Sequence, residues 1–173
     1  HLLTFCLSIH FVAGVHRSLY DFQMPYSAGK ATATYIKQKG WAHEKILGTR
    51  DVEVATVAGY LDKDIYYPEL NGKGSYSQWN KRISIDRKNT LIHIKSYFLS
   101  HPDTERLLVI LSKGSAFREM KPGEQQEKVG LLITADQKFE RSWVNPERFY
   151  LYWVETIESN RVEHPTVSLS NIA

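Results

Sequence analysis

Apolar residues keep three different rhythms along this chain. At the amino end they run almost without a break, as Leu2, Leu3, Phe5, Leu7, Ile9, Phe11, Val12 and Val15. Further on they recur at helical spacing, in blocks separated by short apolar runs. Ser27 is placed to cap a first helix in which Ala28, Ala31, Tyr35 and Ile36 recur up to Lys39, with Gly40 in the C-cap position. Residues 45–48 read as a strand, after which Asp51 caps a second helix with Val54, Val57, Ala58 and Leu61 at i, i+3, i+4 and i+7. Residues 64–68 form another short strand stopped by Pro68, and 72–76 a glycine-containing loop leading to Trp79. Asp86 caps a third helix carrying Leu91, Ile94 and Phe98 and ending near His101 and Pro102; 106–112 is a strand apolar on both faces, as central parallel strands are.

After Gly114 the grammar changes. Pro122 and Gly123 mark a turn, 128–135 and 138–143 are strand segments separated by a bend, and Phe149, Leu151 and Trp153 alternate with Tyr150, Tyr152 and Val154. Strand–helix alternation followed by strands alone predicts an α/β domain: a three-layer Rossmann-like sandwich with a mostly parallel sheet and an antiparallel C-terminal extension. It divides the chain into an apolar segment and linker over 1–20, the domain over 21–157 and a polar, flexible tail over 158–173.

Three readings fit the amino-terminal run: the end of a transmembrane or interfacial helix, an amphipathic helix buried in the domain, or a hydrophobic first strand. The first is favoured. Residues 1–15 are too few for the ~20 that cross a bilayer, and the chain opens at His1 without an initiator methionine, so this reading expects a piece of a larger protein with membrane sequence upstream. No basic flank or small-residue cleavage pattern suggests a signal peptide. His10 is costly inside a span, and His16, Arg17 and Asp21 mark the exit into water.

Composition narrows the function classes. The net charge of +3 is spread among acids with no Lys/Arg-rich run, which disfavours nucleic acid as a partner. A single cysteine, Cys6, excludes an internal disulfide and a cysteine metal site, and the seven histidines form no His-x-His or His-x-x-x-His pair. No Gly-x-Gly-x-x-Gly follows the first strand and no Gly-x-Ser-x-Gly elbow exists, so neither a cofactor nor a metal nor a catalytic residue is expected.

Ligands of open α/β sheets sit beyond the carboxyl ends of the parallel strands. Those ends carry Thr49, Arg50 and Asp51, then the stretch 69–75, then 112–115. The candidate ligand-binding residues are Arg50, Asp51, Lys73, Gly74, Ser75, Trp79 and Lys113. Each has a plainer explanation. Asp51 serves as a helix cap, Lys113 sits in a strand-end turn, the 72–75 stretch lacks the spacing of a phosphate loop, and Trp79 is a core aromatic as readily as a sugar-stacking one.

The phrases Asp21 to Ala31, Thr34-Tyr35-Ile36, Val57 to Leu61, Ile65 to Pro68, Gly74-Ser75-Tyr76 and Trp79 resemble a stretch of bacterial polytopic membrane glycosyltransferases akin to the dolichyl-phosphate-mannose protein mannosyltransferase group. That resemblance implies a carboxy-terminal extracytoplasmic domain, attached to an upstream membrane domain of the same protein, which holds the catalytic acids and lipid-linked donor site. The domain itself would be an accessory for acceptor or glycan recognition, with a glycan or lipid-linked sugar acceptor as partner and no catalysis of its own. Two rivals remain. A free-standing α/β enzyme for a phosphorylated or sugar-like small molecule would converge Arg50, Asp51, Lys73 and Lys113 on a pocket. A protein-interaction module would expose an apolar patch around Phe149, Leu151 and Trp153.

Overall fold

A computed structural model describes residues 2–77, 89–112, 117 and 119–157. The elements are α1 (Leu2–Gln23), α2 (Gly29–Gln38), β1 (Ile46–Gly48), α3 (Asp51–Leu61), β2 (Ile65–Tyr67), β3 (Gly72–Gly74), α4 (Thr90–Ser100), β4 (Arg106–Ser112), β5 (Gln125–Lys128), β6 (Leu131–Phe139) and β7 (Phe149–Thr156). The strands form one mixed sheet in the order β3-β2-β1-β4-β7-β6-β5. Helices lie on both faces. Val54, Val57, Ala58 and Leu61 of α3 and Ala33 and Ile36 of α2 pack on Ile46, Ile65, Leu108, Ile110, Phe149 and Leu151. Ile94, Tyr97 and Phe98 of α4 pack on Leu107, Val109, Leu111, Tyr150, Tyr152 and Val154. Residues of β4 feed the two clusters alternately, which is why its sequence shows no polar face.

The expectation of a mostly parallel sheet is corrected. Only β1–β2 and β1–β4 are parallel pairs; β2–β3, β4–β7, β6–β7 and β5–β6 are antiparallel. A parallel neighbour needs a crossover of roughly a dozen residues or more. Between β2 and β3 there is only the turn through Asn71, which adopts the left-handed conformation at φ 47. The chain therefore doubles back, and the stretch expected to be a loop at 72–76 begins as a paired edge strand. The strand expected over 128–135 is likewise split: Val129 and Gly130, both at positive φ, form the two-residue turn of a β5–β6 hairpin. The helix caps divide. Ser27 Oγ accepts the Gly29 N–H at 2.9 Å, as anticipated, whereas the N-cap position of α3 is held by Arg50, whose side chain makes no cap bond, and Asp51 is the first residue of the helix. Asp86 and the tail at 158–173 lie outside the described residues.

None of the described α1 side chains is buried, so this segment is neither a core helix nor a strand. Its apolar residues surround the helix: Leu2, Leu3, Phe5, Leu7, Ile9, Phe11, Val12, Val15 and Leu19 are all exposed. Its carboxyl end is tied to the connection between β6 and β7. Arg17 stacks 4.0 Å from the Trp143 ring, Tyr20 meets that ring edge-on at 5.3 Å, and Arg141 donates to the Gln23 carbonyl. The backbone follows suit. Trp143 N–H donates to Pro25 O at 2.9 Å, Val144 N–H to Tyr26 O at 3.0 Å, and Ala28 N–H to Glu147 O at 3.1 Å.

Candidate site at the carboxyl ends of the parallel strands

β1 leads through α3 to β2 on one side, while the chain reaches β4, on the other side of β1, by way of α4. The strand order thus switches between β1 and β4, and the residues just beyond these strands are Thr49, Arg50, Asp51, Pro68, Glu69 and Ser112. Gly48 is required at the end of β1: a Cβ there would sit 2.6 Å from Val54 Cγ1 and 3.2 Å from Tyr67 Cε1. Arg50 follows in the left-handed conformation at φ 64, a geometry that costs a side-chain-bearing residue ~1–2 kcal/mol. Two acids hold it there. Glu69 accepts the Arg50 backbone N–H, the bond a capping-box glutamate would make, and Glu53 Oε1 pairs with the Arg50 guanidinium at 2.7 Å. Asp51 Oδ2 accepts from Ser77 Oγ at 2.8 Å.

Beneath these groups lie two hydroxyls. Tyr67 OH and Ser112 Oγ are buried with no hydrogen-bond partner among the described residues. By strand alternation Ser112 shares the face of Leu108 and Ile110, and Tyr67 packs with the same cluster, so both lie on the α3 side. Burial pushes the Tyr67 phenol above its ordinary value, and the charges of Asp51, Glu69 and Asp64 push it further. Three acids, Asp51, Glu53 and Glu69, are buried around the start of α3, and among the described residues Glu53 pairs with the Arg50 guanidinium. A helix N-terminus ordinarily favours an anion, and here the Glu69 carboxylate accepts the Arg50 N–H at that end. What the arrangement can do is exchange hydrogen bonds with hydroxyl groups. Among the described residues no group of three His, Cys, Asp or Glu side chains is placed to hold a metal ion.

Of the residues singled out from sequence, Arg50 and Asp51 come together here. Lys73 does not. It lies in β3 opposite Tyr66, and its charge acts on Lys63, just ahead of β2, whose ammonium is pushed below its ordinary value by burial and then by Lys73. Gly74 pairs opposite Ile65, at the amino end of β2, and Ser75 follows it, half-buried. The convergence of Lys73 with Arg50 and Asp51 is therefore absent, because β3 turned back along β2. Trp79 and Lys113 lie outside the described residues. Tyr67, Glu53 and Ser77 were not singled out. The only sequence signal for the first was its position before Pro68 at a strand end. Phe149 and Leu151 are buried, and Trp153 packs at 5.0 Å against Trp41 and lies 4.6 Å from the Arg106 guanidinium.

These features define an α/β domain preceded by an unburied apolar helix. Comparison of the chain with protein families, curated proteins and solved structures returned no match.

Proposed function

We propose that the chain is an extracytoplasmic accessory domain of a membrane glycosyltransferase-like protein, held at the bilayer by α1 and recognising a glycan or another hydroxyl-bearing acceptor without catalysing a reaction alone. The carrying observation is α1. Its 22 residues give a helix of ~33 Å, matched to a hydrocarbon core of ~30 Å, and its apolar side chains point in every direction with none buried. A helix apolar all round belongs in a core or in lipid, and this one is not in the core. Ser8 Oγ is satisfied by the Thr4 carbonyl at 2.9 Å, as a hydroxyl in lipid must be. His10 near mid-depth calls for a partner from another segment, which fits an upstream membrane domain of the same protein.

The fold reading that accompanies this is the three-layer Rossmann-like one, with α2 and α3 on one face, α4 on the other and the switch point between β1 and β4. Glycan recognition is supported by the buried acids and hydroxyls at that switch point. The alternative is a free-standing α/β enzyme acting on a phosphorylated or sugar-like small molecule at the same strand ends. Carbonate washing of membranes from cells making the chain tests the first half: retention in the pellet is expected, and release into the wash would end the membrane assignment. Titration of the detergent-solubilised chain with oligosaccharides tests the second, where binding weakened by Asp51→Asn is expected and no binding of any sugar would overturn it.

A further inference from the structure

We propose that the domain turns one particular edge to the bilayer, the edge carrying the carboxyl ends of β1, β2 and β4, with Trp143 seated among the lipid headgroups as its anchor. This rests on α1 crossing the membrane and adds the orientation. The register fixes which edge is meant. Gly48 lies opposite Ile110, Ser112 opposite Phe149, and Phe149 opposite Phe139, so the connection joining β6 to β7 leaves from the edge where β1 and β4 end. That connection is the part of the domain bonded to the last turns of α1.

Depth follows from the helix. Arg17 is six residues before Gln23, ~9 Å along the axis, and the stretch long and apolar enough to cross a membrane ends at Tyr20. Trp143, stacked on Arg17, is thus level with the end of the apolar stretch, where tryptophan, tyrosine and arginine gather at membrane interfaces. The surrounding surface agrees. Trp143 is 42% exposed and Tyr26, bonded to the same connection, 70%. Arg17 and Arg141 bring cationic groups to that edge, and Glu140 there accepts the Tyr150 hydroxyl at 2.7 Å. The far edge, ahead of β1, β2 and β4, carries mixed charge, with Asp62, Asp64, Asp103 and Glu105 exposed beside Lys45 and Arg106, so the orientation rests on the tie between α1 and the β6–β7 connection. The switch point with Asp51, Tyr67, Glu69 and Ser112 then lies on the side of the domain that faces the headgroups.

The test uses the full chain with Cys6→Ser, reconstituted in phosphatidylcholine–phosphatidylglycerol vesicles, with a nitroxide attached through Pro146→Cys on the β6–β7 connection or Asp103→Cys at the far edge. Immersion depth is read from collisions with oxygen and with a water-soluble nickel complex. The seven residues of β4 separate the two edges by ~23 Å. The expected result is a probe at 146 close to the lipid phosphates and a probe at 103 in bulk water. Both probes in water, or 103 the nearer, with α1 still resistant to carbonate, would overturn the orientation and leave the membrane assignment standing. Release of the protein by carbonate would remove both.

Discussion

Single residues in unfavourable states make the sharpest predictions. Val129 is β-branched yet holds φ 56 in the β5–β6 turn and is largely exposed, so nothing but its backbone is at stake. Val129→Asn should raise stability by ~1 kcal/mol, seen as a higher urea midpoint with unchanged slope. Tyr67 is the opposite case. Its hydroxyl is buried near acids and has no hydrogen-bond partner among the described residues, so Tyr67→Phe should be neutral or stabilising by up to ~1 kcal/mol; a clear loss of stability would mean the hydroxyl is satisfied. A third residue titrates. Asp136 sits at the bulge of β6 and accepts from Tyr35, and burial raises its carboxyl above the usual 3.8 while the Tyr35 bond partly offsets this. A folded-state value above the unfolded one means a contribution present in full at low pH and lost as the carboxyl ionises. Asp136→Asn should therefore be more stable than the parent at pH 7, with the gap closing toward pH 3, as read from urea midpoints across that range. The same change should move Tyr35 down from its value of about 12, which burial raises first and the Asp136 charge second; absorbance titration of the phenols would show it.

At the scale of elements, α2 and α3 lie so close that a Cβ on Gly29 would fall 2.6 Å from Thr56 Oγ1. Gly29→Leu should lower stability by ~1–3 kcal/mol in thermal melts, through overpacking. How much of the architecture could be read in advance depended on burial. α3, α4, β4 and β7 were legible because buried elements must declare their period: Val54 to Leu61 kept helical spacing, and 106–112 stayed apolar throughout. β3 and β5 were not. Gly72–Gly74 and Gln125–Lys128 are edge strands held by backbone bonds, with little apolar surface to bury, so nothing in their side chains announces a strand. The candidate site divides in the same way. Arg50 and Asp51 follow from a short strand running into a helix. Glu69 and Tyr67 join them only because Arg50 turns left-handed and the β2 exit folds back on it, and Lys73 was misplaced because the turn at Asn71 was invisible.

For the whole molecule, the largest contrast in polarity is between an unburied apolar helix and the charged α/β domain that follows it. If α1 is a span, a lysine near its middle costs ~3 kcal/mol each time. Ile9→Lys combined with Val12→Lys should shift the protein from carbonate-resistant pellet to soluble fraction, with the circular-dichroism signature of the α/β domain retained. An unchanged pellet would mean that attachment runs through some other part of the surface.

The place of β7 has a consequence for biogenesis. It is the last strand described in sequence, yet it fills the gap between β4 and β6 and has a neighbour on each side. Until residues 149–156 have been synthesised, β4 and β6 each present an open row of amides and carbonyls, and the longest ladders of the sheet are missing. α1, by contrast, precedes every strand of the sheet in sequence. If α1 spans the bilayer as proposed, its insertion precedes closure of the sheet by nearly the length of the domain. In that interval the sheet is incomplete, a stage at which non-local strand pairing is slow and exposed edges invite aggregation.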